Sequence, residues 1–90
     1  EPPVLIKHVS PRYPDLARQA GIEGTVLLRV LVGKDGKVIS ASVLQSDVTP
    51  MMEKAAVKAA KQFRFKPAKQ RTVPVKATMM VPIRFKLHGS

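Results

Sequence analysis

Cysteine is missing from this chain, and no cluster of metal-ligating residues takes its place. Neither a disulfide nor a structural zinc can therefore staple the fold. The lack of thiols does not fix a compartment, since reducing and oxidising spaces would suit the chain equally. No apolar run approaches the roughly 20 residues a membrane span requires, and no signal-peptide pattern opens the sequence. Aromatics are limited to Tyr13, Phe63, Phe65 and Phe85, too few and too scattered for a base-stacking ladder. The six acids are also scattered and give no paired carboxylates for acid–base work. Gly33-Lys34-Asp35-Gly36-Lys37 is a hairpin turn and not a phosphate loop, which would need longer spacing and a following helix. Ser10, His8 and Asp15 are close in sequence, but nothing aligns a base on a nucleophile. The only other histidine is His88, so His8 reads as a surface histidine and not a ligand. No catalysis, cofactor or metal is expected.

What is present is positive charge. Sixteen Lys and Arg against six acids give a formal net charge of +10. The basic residues run one or two per element, with a modest concentration from Lys54 to Arg71. This describes a solvated basic surface, or one attracted to an acidic partner or a membrane. Ninety residues make one domain with a small core, burying about 60–65% of its unfolded surface.

The stretch that organises the chain is Val73 to Leu87. At period two, one register reads Val73, Val75, Ala77, Met79, Val81, Ile83, Phe85 and Leu87, all apolar. The other reads Pro74, Lys76, Thr78, Met80, Pro82, Arg84 and Lys86. This alternation predicts a half-buried antiparallel strand with the odd register inward. Backbone N–H and C=O groups of successive strand residues point to opposite sides in the sheet plane. Pro74 and Pro82 share a parity, and proline is tolerated only where no ladder bond is needed. The even residues should therefore face outward at a sheet edge. Lys76, Thr78 and Met80 would keep free backbone groups there, as a docking edge or a managed liability.

The rest of the chain supplies the partners for that strand. Val4 to Val9 is an apolar extended arm. Pro14 suits a first helical position and Gly21 the left-handed residue past a helix end, with Leu16, Ala17 and Ala20 inward. Thr25 to Val32 is apolar on both faces and reads as the central strand. Asp35-Gly36 signals a hairpin into Val38 to Gln45, an edge strand with a bulge near its start. Thr49 caps a helix with Pro50 at its first position, running through Phe63 with its alanines inward. Pro67 ends what precedes it, and Ala68 to Thr72 reads as a basic loop. A final strand of fifteen residues would run about 50 Å. It must overhang its shorter partner, bend or finish early. Leu27, Leu31 and Met80 on the outer face are scattered surface apolars or a self-association surface.

The expected fold is α+β: a three-stranded antiparallel sheet with two helices on one face, in the order helix-strand-strand-helix-strand. The strand order is 2-1-3, with the last strand at an edge. Residues 1–10 are the end of a linker or an extended arm, 11–88 the domain, and 89–90 a tail or cloning scar. Glu1-Pro2-Pro3 resembles the end of a proline-rich linker, which would make this a C-terminal domain of a longer protein.

Several motifs now fall in a specific order. Tyr13-Pro14 with Ala17, then Gly21-Ile22-Glu23-Gly24-Thr25-Val26, then Asp35-Gly36-Lys37-Val38, resemble the C-terminal domain of TonB energy transducers. So do Ala55-Ala56, Phe63-Arg64-Phe65-Lys66-Pro67-Ala68 and the closing Val81-Pro82-Ile83-Arg84-Phe85. The resemblance covers Pro11 to Leu87. Two positions depart from it: Phe63 stands where tryptophan is common, and Ser10 where the best-known members carry glutamine.

The resemblance implies a periplasmic domain of a protein anchored in the inner membrane of a Gram-negative bacterium. Such a domain captures the TonB-box peptide of outer-membrane transporters by adding it as a strand at its last strand. Force would come from a proton-driven motor related to ExbB and ExbD, through the chain's missing N-terminal region. The residues expected at the docking edge are Lys76, Thr78, Met80 and Arg84. Contacts near the Tyr-Pro motif are Ser10, Arg12, Tyr13 and Arg18, where the arginines either steer acidic plug surfaces or are simply solvated. The alternatives are a TonB-type interaction domain of another envelope protein and a basic nucleic-acid-binding module. Nucleic acid is not the expected partner, and a strand-exchanged homodimer stays open.

Overall fold

The computed structural model describes residues 1–87. His88 and the tail reading of Gly89-Ser90 lie outside the described residues. The central sheet has the order β3-β2-β7 and is antiparallel throughout, with β2 spanning Gly24–Val32, β3 Val38–Ser46 and β7 Ala77–Phe85. Alternation decides which face is buried. Val26, Leu28, Val30 and Val32 are fully buried, and Val81, Ile83 and Phe85 join them from β7.

The β2–β3 turn is built from its residue types. Gly36 takes φ +84°, the Asp35 carboxylate accepts the Lys37 N–H at 3.0 Å, and Gly33 N–H reaches the Lys37 carbonyl at 2.8 Å. The β2–β3 register shifts twice, between Leu27 and Leu28 and again between Leu31 and Val32. Ile39 and Leu44 are the extra residues on β3. The expected bulge near the start of β3 is thus joined by a second near its end.

The main helix α2, Pro50–Ala60, opens as its sequence dictates. Thr49 Oγ1 accepts the Met52 N–H at 3.3 Å, and Pro50 stands at the first position, where a missing donor costs nothing. Met52, Ala56 and Ala60 are buried in the core with the sheet, and Ala59 is buried on the side towards α1. The helix is shorter than its pattern predicted. It stops at Ala60, and the Gln62 and Phe63 N–H groups close on the Ala59 and Ala60 carbonyls. Phe63 reaches the core from beyond the helix end, in contact with Phe65 and with His8.

The short helix α1, Asp15–Gln19, corrects the sequence reading in two ways. Pro14 is its N-cap and not its first helical residue. Only Ala17 is buried, while Leu16 is 68% exposed and Ala20 lies at the surface. Five residues present too narrow a face to bury three side chains. Gly21 takes φ +69° as expected, and the Ile22 N–H bonds back to the Ala17 carbonyl at 3.0 Å.

The larger correction is that the chain forms more strands than three. The arm becomes β1, Val4–Lys7, which pairs with β4, Arg64–Lys66. The expected basic loop contains β5, Ala68–Gln70, which pairs with β6, Val73–Val75, across a turn where Arg71 takes φ +61°. The fifteen-residue final strand is therefore broken at Lys76. β2 offers nine partners to β7, and the residues before Lys76 fold back on β5 instead. Val73, expected inward, is 59% exposed as a result.

Candidate functional site

The outer side of β7 is the rim of the sheet, and among the described residues no strand pairs with it. Which backbone groups it presents follows from parity. Pro82 lies opposite Leu27, and a residue without an N–H cannot belong to a hydrogen-bonded pair. The other edge of β2 gives the same answer independently. Thr25 accepts Asp47 N–H through its carbonyl, and Gly33 donates to Lys37, so odd residues of β2 point towards β3. Its even residues then point towards β7, where they meet Ile83, Val81 and Met79. Leu87 also follows the rule, its N–H reaching a Glu23 carboxylate oxygen at 2.5 Å. Even residues of β7 consequently aim their backbone groups away from the sheet.

Thr78, Met80 and Arg84 stand on that rim with exposed side chains. Lys76 does not, because it lies in the break between β6 and β7. With Pro74 paired to Lys69 in the small β5–β6 sheet, Pro82 alone marks the rim of β7. The free edge is thus shorter than the sequence predicted.

At the C-terminal end of β7 the rim runs into an open cleft of about 700 Å³. Arg84 and Lys86 form one wall, and Ser10, Tyr13 and Arg18 the other. Tyr13 is fixed at both ends of its ring. Its hydroxyl donates to the Ile22 carbonyl, and its ring meets Phe85 edge-on at 5.4 Å. Partial burial raises the phenol pKa, and the nearby Glu23 carboxylate pushes it the same way. Arg18 forms an exposed ion pair with Asp15 at 3.1 Å, which takes up part of its charge.

The sequence-expected contacts divide here. Ser10, Tyr13 and Arg18 share the cleft with Arg84, whereas Arg12 lines a separate groove of about 500 Å³ between α1 and α2. Lys86 and His8 belong to the cleft and were not expected in it. The parity of Lys86 with Arg84 was a usable signal. His8 carried none, since its position depends on β1 pairing with β4. The site offers a row of outward backbone donors and acceptors beside a cationic cleft. Such a surface grips an extended chain with little demand on its side chains.

The sequence profile of the family described as Gram-negative bacterial TonB protein C-terminal matches residues 9–87. Protein TonB of Vibrio cholerae serotype O1 is 39% identical over 89 residues, covering 99% of this chain and 36% of that protein. Protein tonB2 of Pseudomonas aeruginosa is 43% identical over 79 residues, covering 88% and 29%. The solution NMR structure of the Pseudomonas aeruginosa TonB CTD superposes with a TM-score of 0.78 at 25% identity, covering 98% of this chain and 89% of that one. A Helicobacter pylori TonB-CTD structure gives a TM-score of 0.67 at 28% identity, covering 90% and 85%. The chain belongs to the TonB C-terminal domain family. It spans about a third of the length of these curated relatives.

Proposed function

We propose that this domain is a non-enzymatic coupling module that captures an extended peptide of an outer-membrane transporter as a fourth strand along β7. The observation that carries the reading is the outward parity of Thr78, Met80 and Arg84 on an unpaired rim. The cleft walled by Ser10, Tyr13, Arg18 and Arg84 supports it by giving one end of that peptide somewhere to turn. Family membership supports the identity of the peptide as a TonB box. It also supports a periplasmic setting, an inner-membrane anchor outside these residues, and a proton-driven motor related to ExbB and ExbD.

Strand addition suits a coupler mechanically. Backbone bonds give grip without strong side-chain selectivity, so one module can serve several transporters. Pulling along the strand loads the ladder bonds in shear, so they yield nearly together. A weak complex can then carry tension.

The test is an NMR titration of the 15N-labelled domain with a box peptide. Shifts concentrated on residues 78–87 and on Ser10 and Tyr13 are expected. Shifts centred on α2 would move the site to the helical face. Concentration-dependent broadening of β7 without peptide would assign the rim to a second copy of the chain.

A further inference from the structure

The charge of this protein is segregated along the chain. All six acids stand at or before Glu53, matched there by six Lys and Arg, so that half is neutral. Residues 54–90 hold ten Lys and Arg and no acid. The whole excess of +10 therefore belongs to residues 54–90, which begin inside α2 just after Glu53.

Folding concentrates part of it on one ribbon. β1 lies against β4 with Val4 opposite Lys66 and Lys7 opposite Arg64. Glu1 and Lys69 exchange backbone hydrogen bonds of 2.8 and 3.0 Å, and Lys69 faces Pro74 on its other side. The arm, β4–β5 and β6 thus form a continuous surface outside the main sheet. Five cations stand on it: Lys7, Arg64, Lys66, Lys69 and Arg71, against Glu1 alone. The same strands carry four aliphatic side chains open to solvent, Val4 (54% exposed), Leu5 (39%), Ile6 (67%) and Val73 (59%).

We infer that this ribbon is a peripheral docking surface for an anionic phospholipid bilayer. Lysine and arginine would sit at the phosphates, and Val4, Ile6 and Val73 would enter the headgroup boundary. Charge complementarity requires an anionic partner. The kind of apolar residue selects among anions. Single-stranded nucleic acid is held by aromatic platforms, but Phe63, Phe65 and Phe85 are buried and Tyr13 is half-buried. Exposed aliphatics beside cations match the boundary between headgroup and acyl chain.

The experiment is co-sedimentation of the domain with phosphatidylglycerol vesicles at about 0.15 M salt, with phosphatidylcholine vesicles and a generic oligonucleotide as comparators. Binding to the anionic vesicles alone is expected. The triple variant Lys66→Gln, Lys69→Gln, Arg71→Gln should weaken it by about fivefold per charge, roughly a hundredfold in all. A charge-matched control, Arg29→Gln, Lys34→Gln, Lys54→Gln, should bind within about threefold of wild type, where long-range attraction is screened. Val4→Ser, Ile6→Ser, Val73→Ser, which touches no charge, should cost about tenfold. Equal losses in the two charge variants would overturn the surface as a localised site. An unchanged serine variant, or tighter binding to the oligonucleotide than to the vesicles, would overturn the lipid assignment. Box-peptide binding to β7 is measured separately, so failure of one reading leaves the other standing.

Discussion

Pro82 faces Leu27 across the β2–β7 ladder, at a position where no hydrogen bond can be donated from β7. This one pairing fixes the parity of the whole strand and separates two otherwise similar substitutions. Thr78 lies on the outward parity and Val81 on the inward one, opposite Leu28. Thr78→Pro should leave the fold nearly intact while abolishing capture of an added strand. Val81→Pro should destabilise the domain by about 3 kcal/mol or more, because it removes a ladder bond beside a buried side chain. Chemical denaturation and peptide titration on both variants check this. Equal destabilisation by the two would contradict the parity.

Gly36 is held by two constraints at once. Its φ of +84° lies in the left-handed region, and a Cβ added there would run into the carbonyl of Phe65 on β4. The same approach lets the Phe65 N–H donate to the Gly36 carbonyl at 2.9 Å, tying the β2–β3 turn to the β1–β4 pair. Gly36→Ala should cost about 2 kcal/mol or more, combining the left-handed penalty with displacement of the neighbouring strand. Gly21→Ala meets nothing within 4 Å and bears only the conformational term. A smaller loss at Gly21 than at Gly36, by denaturation midpoint, is the expected ranking.

The alternation that exposed the rim was legible because it is local. Odd residues from Val81 to Phe85 are buried and even ones exposed, as period two requires. The break at Lys76 was not legible, because nothing in residues 73–87 departs from the pattern. It arises from the nine-residue length of β2 and from the availability of β5, both of which lie elsewhere in the chain. The same unbroken alternation places Lys76 on the rim and Val73 in the core, and the break removes both. Leu16 failed differently. Helical spacing in a five-residue helix specifies a face but not its width, and packing gave that face to Ala17 alone. The cleft was half legible: Tyr13 and Arg84 lie far apart in sequence, and tertiary contacts, Tyr13 with Phe85 and with the Ile22 carbonyl beside β2, bring their segments together.

Tyr13 should make stability pH-dependent on the alkaline side. Its folded pKa is raised above 10.0 by partial burial and then by Glu23. In the unfolded chain the phenol ionises at its ordinary value, so above that pH the unfolded state has lost a proton that the folded state keeps. The contribution of Tyr13 is therefore constant below pH 10 and falls as the pH rises towards the folded pKa. Tyr13→Phe lacks both this titration and the bond to the Ile22 carbonyl. The difference in melting temperature between wild type and Tyr13→Phe should be flat up to about pH 9 and shrink beyond 10. A difference that grows with pH would reverse the sign.

Phe63 is the hinge between helix and ribbon. It lies three residues past the end of α2, is fully buried, and meets Phe65 at 6.4 Å and His8 at 4.9 Å between ring centroids. Truncation to alanine removes a large aromatic from a core the surrounding strands cannot close over. Phe63→Ala should lower stability by about 3–5 kcal/mol, a large part of what a domain of this size possesses. Phe63→Trp tests the same pocket from the other side. The indole is larger than the phenyl ring, and exposed His8 lies on that ring and must move to admit it. A cost of about 1–3 kcal/mol is expected for the overpacked variant. Adding His8→Ala should recover much of that loss if His8 is the obstruction, and none of it if the limit is Phe65 in the core. Denaturation of the two single variants and the double, read as a cycle, separates these outcomes.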